Sequence, residues 1–486
     1  MAEQLKDKTA KGLLWGFLNN STMQVLNAVF GIVLARLLSQ DDYGLIGMLT
    51  IFTSIAASLQ DSGFVSALTN KKDATHRDYN SVFWFNIGMS SCLYALFFLT
   101  APMLALFYHE PLITPLFRYY SLAFLAASFS IVPRAMLFKQ LRQKELAIIS
   151  VISLIISGTV GVTMAFMSMA YWGIATQGIM FTLSVSVLSW AFSGWRPSRQ
   201  VSFQPIREML GFSSKMLITN IFNQINQNIF SLVLGRYYTK SEVGHFNQAN
   251  KWNMMGASTI TGMVQGVAQP TFVQVGDDRE RLCRAFSKML RFTCFVAFPA
   301  MFGLALIAPE FIVILITEKW LPSARLMQML CIAGAFMPIA TLYFNIIISR
   351  GKSDVYMWNV IAQGSVILLT ILAINKLGGG IETMVWAYVA ITIMWIAVWN
   401  SFVWREIGFS IMQTLRDITP FLVVAALSMV VAYFVTRQIA NIYLLLIAKV
   451  IVAAALYLGT MWLMGAKIMR ECIGYLLKRS YKKGCG

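Results

Sequence analysis

The segment NSTMQVLNAVFGIVLARLLSQDDYG (residues 20–44) returns 200 residues later as NIFNQINQNIFSLVLGRYYTKSEVG (residues 220–244). The two segments align without a gap. A second pair, APMLALFYHEP (101–111) and APEFIVILITEKW (308–320), lies at nearly the same offset. Two correspondences at nearly the same spacing predict that the chain is an internal duplication. The matched pairs of the first segment are Asn20 with Asn220, Gln24 with Gln224, Asn27 with Gln227, Leu34 with Leu234, Arg36 with Arg236, Ser39 with Thr239, Asp42 with Glu242, and Gly44 with Gly244.

Composition places the duplicated chain in a membrane. Of 486 residues, 57% are hydrophobic and only 12% are charged, whereas a soluble domain has about 25% charged residues. Apolar runs of about 20 residues, the length that crosses a bilayer, recur throughout. The sequence therefore predicts an all-α polytopic membrane protein. Its fourteen expected spans lie near 13–35, 44–68, 81–108, 117–138, 146–168, 171–193, 210–235, 243–270, 289–316, 326–349, 355–375, 381–404, 415–436 and 442–465.

The distribution of basic residues predicts the orientation of these spans. With the N-terminus in the cytoplasm, the inner segments carry 29 Lys and Arg residues and the outer segments carry 8. Cytoplasmic loops of membrane proteins have such an excess, so both termini are expected in the cytoplasm. The net charge of +18 comes from short clusters between spans, and we expect no nucleic-acid partner.

The parity of the helices predicts how the repeats are arranged. Six helices separate the two copies, and an even number preserves the direction of the chain across the membrane. The halves are therefore expected to be parallel repeats about an axis along the membrane normal, as in many alternating-access transporters. We predict an N-terminal lobe at 1–200, a C-terminal lobe at 201–405 and a central cavity. Residues 406–486 would add two helices and a basic cytoplasmic tail.

Side-chain amides form stripes on three of the predicted helices. At 100° per residue, the stripe of helix 7 covers an arc of about 140°, that of helix 1 about 60°, and that of helix 8 about 100°. An unpaired amide in an apolar medium costs about 1–3 kcal/mol or more, so the stripes must face other helices or water. Bonding between helices is one explanation; a polar cavity that binds sugar hydroxyls is the other. The stripes contain Asn220, Asn223, Gln224, Gln227 and Asn228, then Asn20, Gln24 and Asn27, and finally Asn247, Asn250 and Lys251.

Charged residues within or beside spans are further candidates. Arg36 and Arg236 are candidates for binding a diphosphate or for gating, and the alternative is that they anchor helix ends at the interface. Asp61 is either a proton site or an interfacial cap, and Glu310 is a candidate for ion coupling. Lys449 is expected to snorkel or to pair locally.

Signatures of catalysis are missing from the sequence. It contains no Walker A loop, no dinucleotide fingerprint and no metal-ligand spacing, and its six cysteines show no paired spacing. We therefore expect no enzymatic activity, no cofactor and no metal.

Several motifs resemble one family. VLARLLSQDDYGLIGMLTIF (33–52), DSGFVSALTNKKD (61–73) and SVFWFN (81–86) are similar to the N-terminal half of bacterial polysaccharide exporters. SLVLGRYYTKSEVGHFNQANKW (231–252) and GVAQPTF (266–272) are similar to their second half. These exporters form the WzxC-like polysaccharide transport branch of the multidrug/oligosaccharidyl-lipid/polysaccharide (MOP) flippase superfamily.

The resemblance implies a flippase in the bacterial cytoplasmic (inner) membrane. Its substrate would be an undecaprenyl-diphosphate-linked oligosaccharide, such as the repeat unit of an exopolysaccharide, a capsule or an O-antigen. Membrane lipid and the substrate would be its partners, with a polysaccharide polymerase and glycosyltransferases as expected protein partners. A drug/cation antiporter of the same superfamily, or a membrane polymerase or glycosyltransferase acting on lipid-linked sugars, are the alternatives.

Overall fold

The computed structural model describes residues 2–61, 68, 71, 73–198, 202, 204–276, 278–465 and 468–469. Within these ranges the secondary structure is helical and contains no strand, so the predicted all-α architecture is confirmed. The α-helices are α1 Ala2–Leu37, α2 Gln40–Asp61, α3 His76–Tyr108, α4 Ile113–Tyr120, α5 Leu122–Ser128, α6 Ile131–Lys139, α7 Gln143–Phe166, α8 Tyr171–Ser193, α9 Gln204–Tyr237, α10 Lys240–Val275, α11 Arg279–Leu306, α12 Ala308–Ile316, α13 Leu321–Ser349, α14 Ser353–Lys376, α15 Ile381–Ile407, α16 Ile411–Thr436 and α17 Ile442–Leu463.

Ten helices in the described ranges are long and apolar enough to cross a membrane, and a broken pair in α4–α6 would make eleven. The other three long helices are α1, α9 and α10, which carry the amide stripes and are therefore less apolar. Together these elements are compatible with the fourteen predicted spans.

The chain forms two compact units, Met1–Asn247 and Gln248–Gly486, and the boundary between them falls inside α10. The first unit therefore contains α9 and the first turns of α10, which belong to the second sequence repeat. The lobes at 1–200 and 201–405 are defined by the repeats and remain a prediction.

The duplicated sequence folds into duplicated local structure in the first unit. The helix α1 ends at Leu37 and α2 begins at Gln40, while α9 ends at Tyr237 and α10 begins at Lys240. At the first junction, the backbone N–H and hydroxyl of Ser39 donate to the Asp42 carboxylate. Thr239 donates to the Glu242 carboxylate in the same way. Both matched pairs of residues thus bond across the start of the helix that follows.

Proline interrupts the helices of the first unit at two points. A proline has no N–H, so the carbonyl four residues earlier loses its helical donor. Pro102 lies inside α3, and the carbonyl of Phe98 accepts from Arg118 Nε at 3.1 Å. Pro133 lies in α6, and the carbonyl of Phe129 accepts from Trp190 Nε1 at 2.6 Å.

The predicted span at 117–138 is therefore not one straight helix. It is divided into α4, α5 and α6, with a bend of 41° between Ile113–Ser128 and Ile131–Lys139. Next to the bend, Gln60 Nε2 donates to Phe124 O at 2.6 Å, and Ser186 Oγ donates to Ala126 O. The bend survives in an apolar medium because side chains of neighbouring helices bond the freed carbonyls.

The second unit repeats this arrangement. Pro299 lies inside α11, and the carbonyl of Phe295 accepts from Tyr457 Oη at 3.0 Å. The predicted span at 289–316 breaks at Ile307, directly before Ala308 and Pro309 begin α12. There, Gln328 Nε2 donates to Ala305 O at 3.2 Å.

The bond from Tyr457 predicts a specific loss of stability. Tyr457→Phe leaves Phe295 O without its side-chain donor, and interhelical bonds in membranes contribute about 0.6 kcal/mol on average and about 1.7 kcal/mol at most. We expect a lower midpoint of thermal unfolding in detergent. The control is Tyr443→Phe on the same helix, since Tyr443 is 61% exposed. In a Pro299→Ala background the backbone N–H is restored, so the effect of Tyr457→Phe should fall; equal effects in both backgrounds would contradict this account.

Candidate functional site

The polar stripe of α9 is mostly half-buried. Gln227 is exposed, and the other four amides of the stripe are half-buried. Asn228 folds back on its own helix, where Nδ2 donates to Gln224 O at 2.9 Å. Asn226, outside the predicted arc, is also half-buried.

The matching stripe of α1 is more accessible. Asn20 and Asn27 are exposed, while Gln24 is half-buried. These three amides are repeat-mates of Asn220, Gln224 and Gln227. Both copies of the duplicated segment thus present amides at accessible positions. Whether each stripe lines a polar cavity or bonds to other helices remains a prediction.

The stripe of α10 has two different ends. Asn247, in the first unit, accepts a hydrogen bond from Ser231 Oγ at 2.7 Å. Asn250 and Lys251, in the second unit, are half-buried. Lys251 Nζ lies 6.0 Å from the ring centroid of Trp252, and within the described ranges no carboxylate forms an ion pair with it. A cation placed on a polar face in this way can attract an anionic ligand.

Gln248 is a polar residue that the stripe analysis missed. Its side chain is fully buried, and neither amide atom has a partner among the described residues. It lies about 100° round the helix from Asn247, so a search for the face with most amides passes over it. Its burial was not visible in the sequence.

A buried ion pair joins Glu310 and Lys449 in the second unit. Lys449 Nζ lies 2.6 Å from Glu310 Oε1, and the two side chains are 4% and 9% exposed. The same ammonium also donates to Leu306 O at 3.3 Å, at the break before α12. The pair binds α17 to the start of α12. Glu310 is thus neutralised by a lysine, which disfavours it as a free site for ion coupling.

An apolar cavity of about 480 Å³ lies beside Lys449. Its lining includes Phe295, Pro299, Leu304 and Tyr457. Apolar walls of this kind fit a hydrocarbon chain and do not bond a sugar. We therefore do not expect the polar headgroup of a substrate in this cavity.

The other charged candidates are at helix ends. Arg236 Nη1 donates to Phe107 O at 2.6 Å and contacts the ring of His109, so the end of α3 already binds it. Arg36 is exposed and also interacts with another group of the protein. Asp61 is the last residue of α2, and its side chain lies outside the described residues.

A second buried network in unit two was not predicted. Asp417 is 6% exposed; it accepts from Ser287 Oγ and pairs with Arg291 Nε at 3.0 Å. One turn away, Thr414 bonds both Asn400 and the hydroxyl of Tyr343. The network joins α11, α13, α15 and α16. Among the described residues, no group of three or more His, Cys, Asp or Glu side chains is placed to hold a metal ion.

Comparison with known proteins adds independent information. A family model described as "Polysaccharide biosynthesis protein" matches residues 33–325. Lipopolysaccharide biosynthesis protein WzxC of Escherichia coli (strain K12) is 26% identical over 365 residues, which are 73% of each chain. Succinoglycan biosynthesis transport protein ExoT of Rhizobium meliloti (strain 1021) is 24% identical over 413 residues, 84% of this chain and 80% of that one.

A solved structure shows the same fold. The lipid II flippase MurJ, in an inward closed conformation, matches with a TM-score of 0.76. The match covers 95% of this chain and 100% of the other, at 14% sequence identity. At this identity the likeness concerns the fold alone.

The ion pair predicts a non-additive effect on stability. Glu310→Leu or Lys449→Met leaves one buried charge unpaired, which costs about 3–5 kcal/mol, whereas replacing both partners with apolar residues is often neutral. We expect each single variant to unfold at lower temperature in detergent and the double variant to recover most of the loss. The exposed pair of Arg325 and Glu382 is the control, since Glu382→Leu should change stability by no more than about 1 kcal/mol. A double variant as unstable as the worse single variant would contradict the pairing.

Proposed function

Because the chain belongs to the polysaccharide biosynthesis protein family, whose model matches residues 33–325, we propose that it flips a lipid-linked oligosaccharide across the bacterial cytoplasmic membrane. The family match confirms the predicted resemblance to polysaccharide exporters. The substrate class follows from the names of the relatives, which include lipopolysaccharide biosynthesis and succinoglycan transport proteins. The single observation that carries the proposal is this match, and the amide stripes agree with it.

The amides explain how a sugar headgroup crosses an apolar barrier. Sugar hydroxyls both donate and accept hydrogen bonds, and so does each Asn or Gln side chain. In our proposal α1, α9 and α10 replace the headgroup's water with amide partners, while the polyprenyl tail stays in the apolar phase. Neutral amides suit this role because they form no ion pair with the headgroup, so the headgroup can also be released.

The diphosphate needs a positive partner on the same path. We assign this role to Lys251, which lies on the stripe of α10 and forms no ion pair in the described ranges. Arg36 and Arg236 would act at the ends of α1 and α9. Direct binding by Arg236 requires that it first leave the carbonyl of Phe107.

The alternatives have less support. A drug/cation antiporter needs a carboxylate free to exchange a cation, and Glu310 is paired with Lys449. A polymerase or glycosyltransferase needs catalytic carboxylates, and the family relatives include one that is named a transport protein. We propose a transporter, with both termini in the cytoplasm and with a polymerase and glycosyltransferases acting before or after it.

The headgroup path can be tested in proteoliposomes. The probe is the lipid-linked oligosaccharide extracted from a strain that lacks the gene. We expect the triple variant Asn223→Ala, Gln224→Ala and Gln227→Ala to flip it at least about tenfold more slowly, since each lost bond contributes about 0.5–1.5 kcal/mol and about 1.4 kcal/mol changes a rate tenfold. Asn226→Ala, outside the arc, is the matched control and should have the smallest effect. Normal flipping by a well-folded triple variant would exclude this path.

A deletion strain separates flipping from polymerisation. If the protein is a flippase, the lipid-linked unit should accumulate on the cytoplasmic leaflet, where added periplasmic enzymes do not reach it. Accumulation on the outer leaflet would instead indicate a polymerase.

The double variant of Glu310 and Lys449 tests the role of the ion pair. Normal flipping by this variant would assign the pair a structural role, whereas a folded but inactive protein would make the pair a candidate for ion coupling again.

A further inference from the structure

Three connections between helices of the second unit meet at Glu406. They precede α11, join α13 to α14 and follow α15, and the distribution of basic residues predicts that all three face the cytoplasm. Arg279 Nε donates to Glu406 O at 2.9 Å, and its Nη2 donates to Arg405 O at 2.8 Å. Lys352 Nζ pairs with Glu406 Oε1, and Arg350 Nε lies 3.7 Å from Glu406 Oε2. These five residues form one charged cluster, the Glu406 cluster.

The Glu406 cluster carries a net positive charge. Its carboxylate and that of the exposed Asp354, in the first turn of α14, are the negative charges here. They are outnumbered by the basic residues Arg279, Arg350, Lys352 and Arg405. Arg405 is exposed, and no carboxylate in the described part of the chain forms an ion pair with it. Its guanidinium carbon lies 5.8 Å from the centroid of the Phe402 ring, so its charge is not compensated by an acid.

A pocket of about 150 Å³ lies at this cluster. A water molecule takes about 30 Å³, so the pocket has the volume of about five waters, which is enough for a phosphate group. Apolar side chains and two cations border the same space. Basic pockets between helices on the cytoplasmic side of membrane proteins are typical sites for anionic lipid headgroups. The lining residues are Ile347, Lys352, Val355, Phe402, Arg405 and Glu406.

The pairing with Glu406 leaves Lys352 able to bind a second anion. An ammonium group has three N–H donors, and the Glu406 carboxylate accepts from Lys352 Nζ. The second oxygen of that carboxylate faces Arg350, so the negative charge of Glu406 is shared between two cations. Lys352 can therefore contact a ligand in the pocket while it stays paired.

The start of α14 adds to the attraction for an anion. Lys352 is the N-cap residue, and its side chain makes no capping hydrogen bond. The first N–H groups of a helix have no acceptor within the helix and carry partial positive charge. Val355, the third residue of α14, lines the pocket. Asp354 in the same turn offsets part of this charge, and the basic side chains supply the rest.

Two exposed tryptophans indicate the depth of the pocket in the membrane. Trp358 on α14 is 64% exposed, and Trp404 on α15 is 58% exposed. Trp358 follows Val355 by three residues and so lies on the same side of α14, while Trp404 directly precedes Arg405. Tryptophan is enriched at the level of the headgroups. These positions favour a ligand that is anionic at one end and apolar at the other.

We propose that this pocket binds the phosphate group of an anionic phospholipid in the cytoplasmic leaflet. Lys352 and Arg405 contact the phosphate oxygens, and the acyl chains lie along the surfaces that carry Trp358 and Trp404. The bound lipid supplies the negative charge that the Glu406 cluster lacks, and it stabilises the folded unit by mass action. The site is separate from the amide stripes, so it does not rest on the proposed function.

Native mass spectrometry of the full-length protein in detergent tests the site, with phosphatidylglycerol, zwitterionic phosphatidylcholine and inorganic phosphate as probes. We expect phosphatidylglycerol to bind most tightly. Arg405→Gln should weaken that binding at least about fivefold, the contribution of one Lys or Arg at an anionic lipid surface, and it leaves Glu406 paired. The matched control is Arg437→Gln, since the exposed Arg437 lies 5.6 Å from the Phe434 ring centroid on the side predicted to face outward.

A second variant separates binding in the pocket from a general attraction between charges. Val355→Trp fills the pocket without changing any charge, and it should weaken the binding of phosphatidylglycerol as well. Val366→Trp is its control, since Val366 is 40% exposed on the same helix. Unchanged affinity in Arg405→Gln or in Val355→Trp would overturn the site. Displacement of the lipid by inorganic phosphate, or tighter binding of the extracted lipid-linked oligosaccharide to the same residues, would overturn the assignment to a phospholipid.

Discussion

Every backbone carbonyl inside a membrane must find a donor within the protein, because the bilayer core offers no water. This structure depends on that constraint at four prolines. Each frees the carbonyl four residues earlier, and each freed carbonyl is bonded by a side chain of another helix: Phe98 O by Arg118, Phe129 O by Trp190, Phe295 O by Tyr457, and Ala305 O by Gln328. Each of these freed carbonyls is therefore accompanied by a side-chain donor from a neighbouring helix.

The same constraint separates what the sequence predicts from what it does not. Apolar runs, the parity of the helices and the 200-residue spacing are local or periodic, so the helical architecture and the matching junctions at Leu37 and Tyr237 follow from them. The break at Ile307 does not follow from the sequence pattern. Pro309 only permits a break there, and the bond that stabilises the break comes from Gln328 on another helix. The partner of Glu310 is 139 residues away, and no periodicity connects it to Lys449. Gln248 escaped notice because its helical face carries fewer amides than the stripe beside it.

The amide stripes and the buried carboxylates lie on different helices of the chain. The amides of α1 and α9 are at accessible positions and carry no charge, as a path for a hydroxyl-rich headgroup requires. Two ion pairs of the second unit, Glu310 with Lys449 and Asp417 with Arg291, contain buried carboxylates and join its helices. Because Glu310 is paired with Lys449, the substrate contacts that we propose are made by the amides and by Lys251.

Gly47 of α2 lies against Asn247 of α10, its counterpart at the 200-residue spacing, and a Cβ atom on Gly47 would lie 1.6 Å from Asn247 Nδ2. In a dimer of two identical halves, the residue on the axis would meet a copy of itself. A glycine opposite an asparagine requires two halves of different sequence, which a single chain can encode. The duplicated halves therefore differ at this contact, which does not have exact two-fold symmetry.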